Sequence, residues 1–126
     1  MHKSQLGGLI IDCQTDDLEA AATFWSAALG MTAISDPRSD NTIYRRLESR
    51  PGELEIEVQR VSHESRVHLD IETDNTEAEV TRLEQLGARR VENVHSWVVM
   101  EAPTGQRFCV VKSQTRGFDE SANRWE

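Results

Sequence analysis

Val67 to Val80 reads VHLDIETDNTEAEV, and Leu9 to Ala22, 58 residues earlier, reads LIIDCQTDDLEAAA. Setting Asp12 against Asp70 aligns Thr15 with Thr73, Asp16 with Asp74, Glu19 with Glu77, Ala20 with Ala78 and Thr23 with Thr81. One deletion then matches Leu29-Gly30 to Leu86-Gly87. Each copy opens on a short apolar strand. An aspartate then precedes a glutamate by three residues, the spacing of a capping box at a helix start. The first helix offers Leu18, Ala21, Ala22, Trp25, Ala28 and Leu29 at helical spacing, and the second offers Val80, Leu83 and Leu86. Both run into a glycine, which adopts the left-handed conformation that closes a helix.

Strand-like runs follow each helix. In the first half these are MTAI, TIYRRLE and ELEIEVQRV; in the second they are ARRV, HSWVVMEA and RFCVVKS. The turn-rich stretches SDPRSDN, SRPGE and APTGQ separate them. Each half therefore reads strand, helix, then three strands. Half of a chain of 126 residues is too short to bury both faces of a sheet alone, so two copies are needed for one core. The expected organisation is α+β, a single domain over residues 1–112 built from modules 6–61 and 66–112. SHES (Ser62 to Ser65) links them, and residues 113–126 form a loose polar arm with Phe118 and Trp125 as anchors.

The composition excludes several functions. Hydrophobic residues make up 37% and charged residues 29%, a balance suited to a folded, water-facing domain. The longest purely apolar run near the N-terminus, Leu9 to Ile11, stops at Asp12, far short of a membrane span. MHKSQLGG has no export-signal character, so a cytoplasmic location is expected. A net charge of −8 repels a phosphate backbone, and no basic stripe offsets it, so nucleic acid is not an expected partner. Cys13 and Cys109 have no metal-knuckle spacing and read as reduced thiols within strands. No Ser-His-Asp order, phosphate loop or dinucleotide fingerprint occurs.

The tandem pattern resembles the vicinal-oxygen-chelate superfamily, which includes glyoxalase I, extradiol dioxygenases and bleomycin-resistance proteins. The matching stretches are DDLEAAATFWSAALGM, RVHLDIETDNTEAEVTRLEQLGARRV and VVMEAPTGQRFCVV, within residues 8–112. They are most similar to the glyoxalase-like subgroup, whose first helix carries Phe-Trp ahead of its Leu-Gly stop. The resemblance implies two βαβββ modules whose curved mixed sheets enclose one cleft, and it implies a homodimer. Strand alternation then sends Arg66, His68 and Asp70 toward the cleft, while Val67, Leu69 and Ile71 pack under the helix. By the repeat, Ile10 and Asp12 face the cleft too. In ELEIEVQ, Leu54, Ile56 and Val58 form the apolar face, and Glu55 and Glu57 the other. Tyr44 and Trp97 sit on strands where alternation allows either core or cleft, whereas Trp25 reads as core.

Metal-binding relatives take one ligand from the first strand and one from the last strand of each module. His68 occupies one of these positions, but its repeat partner is Ile10, and Cys109 stands where a glutamate is usual. The turn before that last strand carries Ala102 in place of the usual aspartate. The resemblance therefore implies an incomplete metal site, with His68 and either Glu55 or Glu57 as the remaining ligands for a divalent ion, and no resident cofactor is expected. The expected ligand-binding cleft is lined by Ile10, Asp12, Tyr44, Glu57, His68, Asp70, Trp97 and Cys109. Three readings stand open: a glyoxalase-like protein that binds a small molecule there, with or without lyase-type catalysis; a metal-dependent lyase, isomerase or dioxygenase; and a bleomycin-resistance-type protein that sequesters a cationic drug.

Overall fold

A computed structural model describes residues 1–37 and 39–126, so Arg38, in the turn-rich stretch SDPRSDN, lies outside the described residues. The strand–helix–three-strand order occurs twice. The first pass is β1 (His2–Gln14), α1 (Leu18–Leu29), β2 (Ala33–Ile34), β3 (Tyr44–Leu47) and β4 (Ile56–Val61). The second is β5 (Arg66–Thr73), α2 (Thr76–Gln85), β6 (Arg89–Val94), β7 (Trp97–Glu101) and β8 (Arg107–Lys112). Both passes share one hydrogen-bonding plan. The first strand pairs in parallel with the last, β1 with β4 and β5 with β8, and the remaining pairs are antiparallel. The fold is α+β, with the mixed sheet of the glyoxalase-like architecture.

The chain divides into two compact units, one of residues Gly8–Val67 and the other of Met1–Gly7 with His68–Glu126. In the first unit, α1 covers a core of Leu18, Leu47 and Val58, joined by Cys13, Ala21, Trp25, Met31, Ala33 and Ile56. Trp25 is thus a core residue, as its spacing implies. In the second, α2 lays Val80 and Leu83 on Val98, Met100 and Val110, with Ile71, Ala88 and Phe108 at the margin. Gly30 ends α1 with φ 67°, and Gly87 follows α2 with φ 106°. These left-handed values are open to glycine and strained for most other residues.

Three expectations need correction. The helices are capped one residue later than the repeat suggests. Asp17 accepts from Ala20 N at 3.0 Å and Asn75 from Ala78 N at 3.0 Å. Both sequences offer two adjacent capping residues, and the second of each pair takes the position. Glu19 and Glu77 do not reach back; they pair with Arg45 and Arg90. Secondly, Val67 and Leu69 do not pack under α2. They are 55% and 46% exposed, and of the alternating set only Ile71 reaches the core. The helix lies over β6, β7 and β8, and of β5 only Ile71 reaches its core, so alternation sorts the faces of the strand correctly but not how far the cover extends.

The third correction concerns the C-terminal arm, which is folded. It forms α3 (Phe118–Ser121) and β9 (Asn123–Trp125), and β9 pairs antiparallel with β1 through His2↔Trp125, Lys3↔Arg124 and Ser4↔Asn123. Polar composition concealed this because the anchors are few: Phe118 is buried, and the Trp125 indole donates to Ser4 Oγ at 2.8 Å. Beneath lies a charged knot. Glu79 of α2 is wholly buried, with His2 Nε2 2.7 Å from its Oε1. Arg82 donates to both carboxylate oxygens at 2.9 and 2.8 Å and stacks 3.9 Å from the Trp125 ring centroid. Helix, N-terminal strand and C-terminal strand thus meet on one carboxylate.

Burial by itself would raise the pKa of Glu79. Hydrogen bonds from Arg82, His2 and Ser4, with the Arg82 charge, outweigh it and hold the carboxyl below its ordinary range. A depressed folded-state pKa contributes stability above the unfolded value of about 4.3, and that contribution is lost as pH falls through the folded value. Glu79→Gln is therefore expected to cost about 1–3 kcal/mol at pH 7. The gap from the parent protein should narrow below about pH 4.3, as read from urea unfolding across pH. Unfolding midpoints also test the corrected strand cover. Met100→Ala, at 0% exposure, should cost about 2–5 kcal/mol. Leu69→Ala should cost less than about 1 kcal/mol, because its side chain already meets water.

Candidate functional site

Each unit turns one sheet face away from its helix, and register fixes what that face carries. In the second unit Asp70 lies opposite Cys109, Cys109 opposite Val99, and Val94 opposite Trp97. Paired residues point to the same side and alternate residues repeat it. His68, Asp70 and Glu72 of β5, Arg107 and Cys109 of β8, and Trp97, Val99 and Glu101 of β7 therefore share the face opposite α2.

His68, Asp70 and Cys109 converge there. One donor atom from each (imidazole nitrogen, carboxylate oxygen, sulfur) lies within 4.8 Å of the others. His68 Nε2 is 3.3 Å from Asp70 Oδ1, and the two side chains are 11% and 22% exposed. Asp70 Oδ1 is buried and makes no hydrogen bond among the described residues. A buried carboxylate oxygen left without a partner is costly, and the group facing this one is the His68 imidazole. Such a constellation can hold a divalent ion, or pass a proton between imidazole and ligand.

The ends of this face are tied by the chain itself. Glu72 is buried and accepts from Gln5 Nε2 at 2.8 Å, Thr115 Oγ1 at 2.9 Å and Gln114 N at 3.3 Å. Gly7 passes so close that an added Cβ would sit 3.0 Å from Glu72 Cγ, which is why the strand carries a glycine there. Glu101 is held below the ordinary carboxylate range by hydrogen bonds from Arg89 and Arg107, which occupy its charge. The Trp97 ring packs against His95, centroids 5.8 Å apart, so Trp97 lies on the side away from the core. Glu72 escapes a sequence reading; its one sign is the run of alternate polar residues His68, Asp70, Glu72 along β5.

In the first unit Ile10 is the register partner of Glu57, Asp12 of Gln59, and Tyr44 of Gln59. Ile10, Asp12, Tyr44 and Glu57 therefore share the face opposite α1. Ile10 and Asp12 are buried, and Glu57 and Tyr44 are half-buried. The Asp12 carboxylate has Arg66 Nε at 3.7 Å and His63 Nε2 at 3.9 Å. The Tyr44 hydroxyl accepts from Gln59 Nε2 at 3.5 Å. Glu55 pairs with Arg46 at 3.1 Å, which leaves Glu57 as the β4 carboxylate in register with Ile10. Cys13 belongs to the core side, where burial pushes its thiol pKa up, opposed by a hydrogen bond with Trp25 and supported by the nearby Asp12 charge. A hollow of about 230 Å³ lined by Ile34, Ser35, Asp36, Pro37 and Arg46 is open to solvent, and its arginine is occupied by Asp36 and Glu55.

Comparison with known proteins agrees with this architecture. The profile of the glyoxalase-like domain matches residues 8–111. No curated protein sequence matches the chain. Among solved structures it is similar to the hypothetical protein BH1468 from Bacillus halodurans C-125, with a TM-score of 0.57 at 14% identity over 90% of this chain and 98% of that one. It is also similar to methylmalonyl-CoA epimerase from Mycobacterium tuberculosis, with a TM-score of 0.56 at 17% identity over 87% and 90% of the two chains. A methylmalonyl-CoA epimerase in complex with methylmalonyl-CoA and NH4+ gives 0.51 at 13% identity over 86% and 95%. At these identities the likeness is one of fold.

Proposed function

The chain belongs to the glyoxalase-like domain family, and from that premise we propose that it binds a small oxygen-rich molecule on the sheet face that carries His68, Asp70 and Cys109. The observation that supports this most is the convergence of three chemically different donors within 4.8 Å on a face with Val99 and Trp97 beside them. Convergent polar groups next to apolar side chains are a common make-up of a small-molecule site, and here Val99 stands opposite Cys109. The imidazole–carboxylate pair orients and polarises a ligand's carboxylate, hydroxyl or carbonyl oxygen. Ile10, Asp12, Tyr44 and Glu57 share the face opposite α1 in the first unit. The net charge of −8 disfavours a phosphorylated polymer as the ligand.

A second reading, a metal-dependent lyase, isomerase or dioxygenase, draws support from the same trio. A divalent ion there would supply Lewis-acid polarisation of adjacent oxygens. His68 and Asp70 would hold it and keep the ligand's oxygens oriented. Among the described residues, no helix is long and apolar enough to cross a membrane. The molecule is proposed to act as a homodimer.

The test is an amide-shift titration with α-hydroxy acids, α-keto acids, dicarboxylates and acyl-CoA thioesters. Binding is expected to move the amides of His68, Asp70, Val99 and Cys109, and His68→Ala is expected to weaken it by about tenfold or more, the loss of one charge-assisted hydrogen bond. Shifts confined to α1 or α2, or no shifts with any of these classes, would sink the reading.

A further inference from the structure

We propose that Trp97 and His95 form an aromatic corner that receives a planar ring of the ligand. The molecule held on this face is then an aryl compound whose ring is joined by a short chain to a hydroxyl or carbonyl oxygen. The proposal rests on the binding face described above and assigns it a ligand class.

Strand geometry builds an apolar floor beside the polar groups. Trp97 and Val99 of β7, Val94 opposite Trp97 on β6, and Val111, two residues beyond Cys109 on β8, lie on the face turned away from α2. The core is filled from the other face, by Val98, Met100 and Val110. All four floor residues are half-buried, although none belongs to that core. Glu72, opposite Val111, is tied to Gln5, Gln114 and Thr115. Val99, Cys109 and Asp70 stand in one row across β7, β8 and β5. Trp97 is about 7 Å along its strand from Val99, and Asp70 about 10 Å across the strands from it. One ring with a side chain of a few atoms spans that corner once both side chains reach inward. Arg107, the arginine on this face, is engaged by Glu101, so the polar end offers a hydroxyl or carbonyl group the His68–Asp70 pair rather than offering an acid a cation.

His95 supplies an independent observation. It opens the two-residue turn between Val94 and Trp97, and at φ 49° it is the one non-glycine residue with positive φ among the described residues. Such turns favour glycine or asparagine at that place, and a histidine there is held in a sparsely populated conformation. Glycine or asparagine would make the turn with less strain, so what the histidine adds is its ring. That ring packs on the Trp97 indole, with centroids 5.8 Å apart and planes inclined at 56°. Two rings so inclined leave a corner in which a third ring can lie over the face of one and against the edge of the other. Both arrangements are favoured between aromatic groups, and an aliphatic chain gains neither.

Amide and indole N–H shifts of the full-length protein test this with matched uncharged probes. These are phenylpropanediol, cyclohexylpropanediol, which has a similar apolar area but no π face, and propanediol. Phenylpropanediol is expected to shift the Trp97 indole N–H and the His95 and Trp97 amides together with those of His68 and Asp70. It should bind about twofold to tenfold more tightly than cyclohexylpropanediol, the usual gain from one aromatic pair. Trp97 lies off the core, so Trp97→Leu should fold and lose that preference. His95→Gly should diminish it, although glycine suits the turn. The comparison of probes on the unmutated protein is untouched by folding defects. The proposal is overturned if phenylpropanediol binds no more tightly than cyclohexylpropanediol. It is also overturned if the shifts reach His68 and Asp70 but spare Trp97 and His95, an outcome that leaves the binding face standing. Shifts at Trp97 and His95 that spare His68 and Asp70 would uphold the corner and sink the reading of the face instead.

Discussion

The parallel register of β5 on β8, with Asp70 opposite Cys109 and Ile71 opposite Val110, is the constraint on which the second unit depends. One pairing decides two things. It points Ile71 and Val110 into the core beneath Val80 and Leu83 of α2, and it brings Asp70 and Cys109 side by side on the opposite face. A slip of one residue would exchange the faces, driving a carboxylate into the core and dispersing the three donors. Core and candidate site are therefore specified by the same hydrogen bonds. The pairing that buries Val110 is the one that sets Cys109 on the opposite face.

Glu79 has a comparable role at the chain ends. A wholly buried carboxylate is unfavourable unless its charge is met. Here it is met three ways, by the Arg82 fork, by the His2 imidazole and by Ser4. Because Arg82 also stacks on the Trp125 ring, the knot ties α2 to the pairing of residues 2–4 with residues 123–125. Buried ion pairs contribute little net energy, but losing one partner is costly. The knot thus acts more as a specifier of where the termini dock than as a source of stability.

Much of this could be read in the sequence, and what could not has physical reasons. The duplicated strand–helix–three-strand order was legible because hydrophobic spacing, capping residues and closing glycines agree within each copy. Gly30 and Gly87 adopt the left-handed conformation, and Val58, Val80 and Leu83 are buried as their spacing implies, whereas Ala28, Leu29 and Leu86, at the helix ends next to those glycines, are exposed against it. Periodicity reports which way a side chain points but not what lies above it, so it placed Leu69 correctly by face and wrongly by burial. The folded C-terminal arm was hidden because two aromatic anchors and a pairing of three residues leave no periodic signal. His68 stood out because it fills one place of the four-ligand pattern, and Cys109 because it departs from that pattern. Asp70 as their partner was harder to see, since its place depends on the β5–β8 register.

The repeat supplies its own control for the donor cluster. The backbone places Ile10, Asp12 and Gln59 in the first unit where it places His68, Asp70 and Cys109 in the second, through the matching registers Asp12↔Gln59 and Asp70↔Cys109. The geometry is shared and the chemistry is not. Isoleucine offers no donor and a glutamine amide offers no thiolate, so the first trio cannot assemble a site for a borderline-soft cation. The two aspartates meet different fates accordingly. Asp12 has the Arg66 guanidinium and the His63 imidazole within 4 Å, both supplied by the chain that follows β4. Asp70 has at 3.3 Å an imidazole that is itself a metal ligand by type. Where the fold needs only a buried aspartate, it supplies an arginine beside it. Beside Asp70 it supplies an imidazole and a thiol instead, so the donor cluster is a property of these residues and not a by-product of the architecture.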